Sequence, residues 1–260
     1  MGFGRVIVVI SIGNRPWFAS CLSWMERYAK RCKADLRIIE STPSRVEFPF
    51  PDLPDKPGRP HKFEYAMKQY CVGKLMDEGY SNVLMLDDTC IISPTAPDLF
   101  SIVEPGRCGY THTSRDHAED SFRVIQAETA RNGWEEVAYD PALYANTGVM
   151  LYDAVYSPAF LAKNIIEAAP LLFARYPHQT LSYYLLRKYD VSMQRIDKRF
   201  NNSTLFVNEP GTDWRDSELT DSFIYHVTGF WKEDREEVVN VVLNKLAEKF
   251  VSELGEVPSV

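Results

Sequence analysis

Asn82-Val-Leu-Met-Leu-Asp87-Asp88-Thr89 is the stretch that decides the fold. Val83 to Leu86 is apolar without alternation, too short for a helix, and it ends in two carboxylates. Such a run reads as a strand buried on both faces in a parallel sheet. Ligands of open α/β sheets sit beyond the carboxyl ends of the strands. The sequence therefore puts Asp87 and Asp88 where a site belongs.

Upstream, Arg5 to Ile12 (RVIVVISI) is a second run of this kind, closed by Gly13-Asn14. Pro16 suits a helical first turn. Phe18, Leu22, Met25, Ala29 and Cys32 then recur at helical spacing, and Asp35 to Glu40 reads as a strand. The opening is βαβ, the unit of a right-handed parallel sheet. Ser41 to Pro60 holds too much proline for a helix or a central strand. It is expected to be one long ordered loop, either over the site or as a passive insertion. Lys62 to Met76 returns to helical spacing. Farther on, Pro97 to Phe100 reads as a short helix, and Cys108 to Thr111 and Tyr144 to Asp153 read as strands. His112 to Glu136 is polar and shows no clear period. Pro158 to Arg175 and Gln179 to Lys188 are predicted helices; Val191 to Ile196 and Ser222 to His226 are predicted strands. Asp234 to Leu254 carries Val238, Val241, Val242, Leu246 and Phe250 as one stripe, which either rests on a membrane surface or docks on the sheet; docking is favoured, because the polar face mixes Glu with Lys and is not strongly basic. The reading is a single α/β domain over residues 1–260: a Rossmann-like, mixed central sheet flanked by helices.

A net charge of −7 argues against nucleic acid as a main partner, because backbone binding needs a basic surface. It leaves room for a nucleotide, whose phosphates one metal ion and one lysine can meet. The five cysteines are an odd number and include no C-x-x-C pair, so neither a zinc knuckle nor a redox motif is indicated. They fit a reducing compartment, and a cytoplasmic protein is expected. No signal peptide or transmembrane segment is legible, and the sequons at Asn201 and Asn202 read as coincidental.

The chemistry gathers around His226-Val-Thr-Gly229-Phe-Trp-Lys232. An imidazole, a strand-end carboxylate pair and a Gly/Lys pair are the parts needed to hold a divalent metal against a diphosphate. Carboxylate oxygen suits Mg²⁺ or Mn²⁺, and an added imidazole tilts a site toward Mn²⁺. Gly229 lets the backbone approach phosphate oxygens, and Lys232 supplies a point charge. Ser11, Gly13 and Asn14 follow the first strand and are either a plain turn or contacts to a base or ribose. His112, Arg115, Asp116 and His117 form a polar cluster, read as a solvated loop or an acceptor-facing surface. Asp140 and Asp153 flank the Asn146 strand as further acids.

Taken in order, these residues resemble the metal-dependent GT-A glycosyltransferases, and within them the glycogenin and bacterial galactosyltransferase group (family 8). The sequence VLMLDDTCII (83–92) is similar to the family's strand and D-x-D motif. Lys62-Phe63 matches a basic position that contacts the donor. Tyr144-Ala-Asn-Thr-Gly-Val-Met-Leu resembles the N-[ST/A]-G-V strand. His178-Gln179, with Leu181 and Leu185, resembles the D-Q segment, and H-x-x-G-x-x-K closes the pattern. The resemblance implies transfer of a sugar from a nucleoside-diphosphate sugar, UDP-sugar favoured, to a hydroxyl acceptor such as a glycan, with retained anomeric configuration. It implies Asp87, Thr89 and His226 as metal ligands for Mn²⁺ or Mg²⁺, with Lys232 and the Gly229 backbone on the diphosphate. Asn146 would bind sugar hydroxyls, and Gln179 with His178 would lie at the reacting face. Two positions depart from the pattern. Thr89 stands where D-x-D has its second acid, and alternation along a regular strand turns Asp88 away from the face shared by Asp87 and Thr89. A kink there would let Asp88 serve instead. His178 replaces an Asp, which leaves the donor sugar open; it reads equally as a helix-start residue with no role at the site.

Two other classes remain. A sugar nucleotidyltransferase shares a similar sheet but wants a Gly-rich, basic loop after the first strand, and Ser11-Ile-Gly-Asn-Arg15 has one Gly. A non-catalytic nucleotide-sugar-binding protein is favoured by Thr89. A dinucleotide-binding enzyme is excluded by the missing G-x-G-x-x-G.

Overall fold

The computed structural model describes residues 3–42, 44, 47, 63–207, 213–228 and 232–254, without the side chains of 3, 63–64, 232–233 and 250–254. The first strand, β1 (Phe3–Ile10), has Val6, Ile7, Val8 and Val9 fully buried, because the sheet is covered on both sides. α1 (Phe18–Cys32) follows and buries Phe18, Cys21, Met25, Tyr28, Ala29 and Cys32. It ends at Lys33, whose φ of 52° turns the chain into β2 (Ala34–Ile39). The Pro-rich expectation falls mostly outside the described residues, as does Lys62. α2 (Phe63–Asp77) leads into β3 (Tyr80–Asp87). Then come β4 (Cys90–Ile92), α3 (Leu99–Ile102), β5 (Cys108–His112), α4 (Arg115–Asn132) and β6 (Ala145–Asp153). α5 (Ala162–Glu167), α6 (Pro177–Lys188), β7 (Met193–Arg195), β8 (Ile224–His226) and α7 (Lys232–Leu254) complete the order.

The main sheet runs β2-β1-β3-β6-β5-β7. β1 is parallel to both β2 and β3, while β6 is antiparallel to β3 and β5. Strand alternation sorts side chains into two cores. Val6, Val8, Val83 and Met85 face one with α2 and α6. Ile7, Val9, Leu84 and Leu86 face the other, where Val238, Val239, Val242 and Leu246 dock α7; Val239 is buried instead of the expected Val241, and the side chain of Phe250 lies outside the described residues. Among the described residues, no helix is long and apolar enough to cross a membrane.

Two expectations fail for local reasons. The aperiodic stretch from His112 to Glu136 contains α4, capped by Ser114 Oγ accepting from the His117 N–H and ended by Gly133 at φ +65°. Its buried face is Ala118, Ser121, Ile125 and Thr129, so hydroxyls stand where a pattern search wants apolar side chains. The helix predicted from Pro158 to Arg175 is broken. Only α5 is α-helical there, between 3₁₀ turns at Ala154–Phe160 and Ala169–Phe173. Pro158 and Pro170 each remove an N–H from the ladder.

Candidate functional site

Strand β3 stops at Asp87, and Asp88-Thr89 form a turn before the chain resumes as β4. β4 does not join the main sheet. It pairs antiparallel with β8, setting Cys90 opposite His226. That small ribbon carries the imidazole back over more than a hundred residues to the end of β3. His226 Nε2 lies 3.2 Å from Asp87 Oδ2. The turn also overrides strand alternation: Asp87, Asp88 and Thr89 all line one cleft of about 440 Å³. Of the two alternatives for this stretch, the kinked one is what the chain adopts, because a turn has no two-residue period to send Asp88 to the other face.

A second irregularity builds the facing wall. On β5, Tyr110 and Thr111 are adjacent, yet their partners on β6 are Met150 and Asn146. The intervening Thr147-Gly148-Val149 bulges from the β5 side of the ladder. Asn146 Oδ1 accepts the Gly148 N–H at 2.9 Å, holding the bulge. A Cβ built on Gly148 would stand 2.0 Å from His226 Cε1, so the imidazole packs directly on this glycine. Asn146, Thr147 and Gly148 all line the cleft.

His226 is only 4 % exposed and is held from behind. Asn201 Nδ2 donates to the Asn146 carbonyl at 3.4 Å, which turns Asn201 Oδ1 toward His226 Nδ1 at 2.8 Å. Nδ1 therefore carries a proton, and Nε2 is the nitrogen presented to Asp87. The other Asp87 oxygen meets the Lys68 ammonium, which also donates to the Thr147 carbonyl at 3.1 Å. Burial by itself would raise the Asp87 carboxyl. Lys68 and then His226 outweigh burial and hold it far below the usual carboxylate range. Asp88 moves the other way: burial, then the Asp87 charge, push its carboxyl up against the pull of Arg15, Arg235 and Lys68.

At the start of α6, His178 Nδ1 donates to the Tyr65 carbonyl at 3.0 Å, and the two rings meet edge-on at 4.6 Å. Burial, and after it the Lys68 charge, press the imidazole down to about 3. The ring is neutral at physiological pH and keeps its Nε2 lone pair. Gln179 beside it has a buried Oε1 with no hydrogen-bond partner among the described residues. His178, Gln179, Arg175 and Tyr176 all line the cleft.

The structure thus brings together Asp87, Asp88, Thr89, Asn146, His178, Gln179 and His226. Thr89 is 3 % exposed. Ser11, Gly13 and Asn14 do not line the cleft; Ile10, Ile12 and Arg15 of the same segment line its adjoining recess. Lys62 and Gly229 lie outside the described residues, and so does the side chain of Lys232. Within the polar cluster, His117 stacks on Tyr176 with centroids 3.9 Å apart, while His112 contacts the Pro141 carbonyl. Asp140 and Asp153 are turn formers: each accepts a backbone N–H two residues on. A separate cavity of about 340 Å³ beside Phe122 and Trp134 shares no residue with the cleft.

Sequence reading missed Lys68. Its signal was present: Lys68, Val72 and Leu75 stand at i, i+4 and i+7, so a lysine sits on the apolar stripe of α2. Arg15 and Arg235 were also missed, and neither belongs to a motif.

No family model and no curated protein sequence matches the chain. Solved structures match it in fold. A glycosyltransferase involved in the glycosylation of the major capsid of PBCV-1 is 12 % identical with a TM-score of 0.56, over 91 % of this chain and 98 % of that one. Mouse xyloside xylosyltransferase 1, in its apo form, is 12 % identical with a TM-score of 0.50, over 87 % and 98 %. The bifunctional glycosyltransferase WbbM is 9 % identical with a TM-score of 0.52, over 95 % of this chain and 50 % of that one. At such identities the likeness is one of fold, which is of the GT-A type, and it does not sort the chain into one group within that fold.

Proposed function

We propose that the cleft transfers a glycosyl group from a nucleoside-diphosphate sugar, UDP-sugar favoured, to a hydroxyl of an acceptor such as a glycan. The observation that carries this reading is the Asp87–His226 pair at the carboxyl edge of the GT-A-type sheet, backed by Asn201. With Nδ1 committed to Asn201, Nε2 is the atom turned toward a carboxylate oxygen of Asp87, and a proton between the two joins the pair as it stands. Two acceptors facing each other need a cation or a proton between them. A histidine whose second nitrogen is fixed by a carbonyl is also the usual arrangement behind a metal ligand. Asp87 and His226 therefore fit Mn²⁺ or Mg²⁺, with diphosphate oxygens completing the shell. Asp88 and the Thr89 hydroxyl are at hand in the same cleft. When bound, the ion would stabilise negative charge on the departing diphosphate as a Lewis acid.

The chain's own groups do the rest. The Lys68 ammonium is a fixed positive charge beside the leaving group, and such preorganised charge is commonly the largest catalytic contribution. Asn146, the neutral His178 and the unpaired Gln179 carbonyl are hydrogen-bonding partners for sugar hydroxyls. Retention of configuration rests on the resemblance to family 8. Donor turnover tests the reading: UDP-sugars supplied with Mn²⁺ should be hydrolysed slowly and transferred faster once an acceptor is found. Asp87→Asn should remove both while leaving a folded protein. Full metal-dependent turnover by Asp87→Asn would end this reading, as would the absence of turnover and nucleotide binding in the native protein.

A further inference from the structure

Phe122, Ile125, Gln126, Thr129 and Ala130 follow one another at i, i+3, i+4, i+7 and i+8, so they share one face of α4. The chain then reverses at Gly133, in the left-handed region at φ +65°, and runs back across that face. The return is tied at two points. The Trp134 N–H donates to the Thr129 carbonyl at 3.1 Å, and the Asp140 N–H donates to Tyr183 Oη at 2.8 Å. Between the ties, helix and returning segment stand apart around a pocket of about 340 Å³, which Trp134, Glu136 and Val137 close from the far side. That volume is within the range of small-molecule sites, about 300–1,000 Å³.

The walls suit a ring. Trp134 and Phe122 are both half-buried, and each is backed by a tyrosine: Trp134 by Tyr184 with centroids 5.3 Å apart, Phe122 by Tyr139 at 4.5 Å. The aromatic planes are fixed before a ligand arrives, so little ordering cost falls on binding. Polar groups surround them. Gln126 and Glu136 are exposed at the mouth. Thr129 lies at the floor, 7 % exposed, and its Oγ1 has no hydrogen-bond partner among the described residues. No described residue of the lining is a lysine, arginine or histidine. With a carboxylate at the mouth and a net charge of −7, the pocket repels phosphates and nucleotides. A single exposed carboxylate attracts a cation only weakly. What remains is a neutral ligand with an apolar face and hydroxyls at its edge. A pyranose ring is of that kind. Its axial C–H bonds carry partial positive charge and meet the negative face of an aromatic ring. Its hydroxyls donate to the Gln126 and Glu136 oxygens and accept from the Gln126 amide.

We propose that the pocket between α4 and the segment after Gly133 is a second carbohydrate site, taking one neutral sugar unit of a glycan away from the reaction cleft. The choice of a sugar among neutral rings rests on the glycan-acceptor reading above; the pocket itself shares no residue with the cleft. A glycan anchored there keeps its free end at high effective concentration near the protein, so a long acceptor is used better than a short one.

Saturation-transfer NMR titrations on the full chain test it, with methyl glycosides of neutral hexoses and pentoses as probes and choline and cyclohexanol as comparisons. At least one glycoside should bind the native protein, and bind Asp87→Asn equally. Trp134→Ala should weaken that glycoside by about tenfold, the upper scale of an aromatic contact, and Gln126→Ala by about fivefold, the scale of one neutral hydrogen bond. Glu136→Gln keeps an acceptor and loses the charge, so it should change little for a neutral ligand. Donor hydrolysis should be unchanged in all three pocket variants. Melting curves show which variants are folded; Gln126 is exposed, so Gln126→Ala decides if Trp134→Ala fails to fold. Choline bound in place of glycosides and lost in Glu136→Gln, or cyclohexanol alone bound, overturns the sugar site. So does glycoside binding that disappears in folded Asp87→Asn, or that ignores Trp134 and Gln126 in folded variants. No glycoside binding with donor turnover intact ends the pocket and leaves the transferase reading standing. Pocket binding without any turnover does the reverse.

Discussion

Replacing Gly148 by alanine tests the site's construction at its tightest point. The new Cβ would stand 2.0 Å from His226 Cε1 and 2.4 Å from Nδ1, against an ordinary contact of 3.4 Å or more. The imidazole would have to retreat by about 1.4 Å, the difference between 3.4 and 2.0 Å. It has little room, being 4 % exposed and engaged by Asn201 at 2.8 Å and Asp87 at 3.2 Å. Overpacking of this kind costs about 1–3 kcal/mol, and losing the Asn201 hydrogen bond adds about 1 kcal/mol. For a chain of this size each kcal/mol lowers Tm by roughly 2–4 °C, so a drop of about 5–15 °C is expected. Displacing a site group by an ångström can also cost on the order of a hundredfold in rate. Thermal melts and donor hydrolysis read the two effects. Gly4→Ala serves as control, since its Cβ would meet nothing within 4 Å. The double variant Gly148→Ala with His226→Ala is the sharper arm: with the ring gone the alanine fits, and the stability cost of the glycine change should vanish. If Gly148→Ala melts and turns over like the native protein, or if its cost persists without the imidazole, His226 does not lie on Gly148 and the site is built otherwise.

Other outcomes follow from burial and charge. Folded His178 is pressed to about 3, below its ordinary 6.5, so the unfolded chain binds a proton that the folded chain refuses. Stability contributed by the neutral ring is full above about pH 6.5 and is lost as pH falls toward 3, by at most about 1.4 kcal/mol per pH unit. Denaturant melts across that window should show the fall, and His178→Gln should make it shallower; an unchanged slope would mean the ring is not held neutral. The thiols give a second check. Cys21, Cys32, Cys71, Cys90 and Cys108 are all buried and unbridged, and burial raises each thiol. The native protein should react slowly with a thiol-exchange reagent at neutral pH and release five equivalents once unfolded; rapid reaction of the native form would contradict the packing.

The sequence by itself determined the strands and their edge. Runs such as RVIVVISI and NVLML can be satisfied only in a sheet covered on both sides, and the polar residues that end them mark where a site opens. It also offered His226, Asn146 and Gln179 as candidates, and the structure sets them around Asp87. What it did not contain is the partner of each group. Strand alternation could not decide the face of Asp88, because the Asp88-Thr89 turn is stabilised by the β4–β8 ribbon, a pairing between segments more than a hundred residues apart. Lys68 was hidden on an apolar stripe, since a helical pattern does not say that its stripe runs out over a carboxylate. α4 was hidden for the opposite reason: its buried Ser121 hydroxyl is satisfied by Tyr144 and Thr180, which come from other elements. Arg15 and Arg235 become one feature only because Trp17 is fixed in the core between their segments. Local periodicity is written along the chain and can be read there. Charge compensation and hydrogen-bond satisfaction are pairwise and long-range, and tertiary packing alone decides which groups meet.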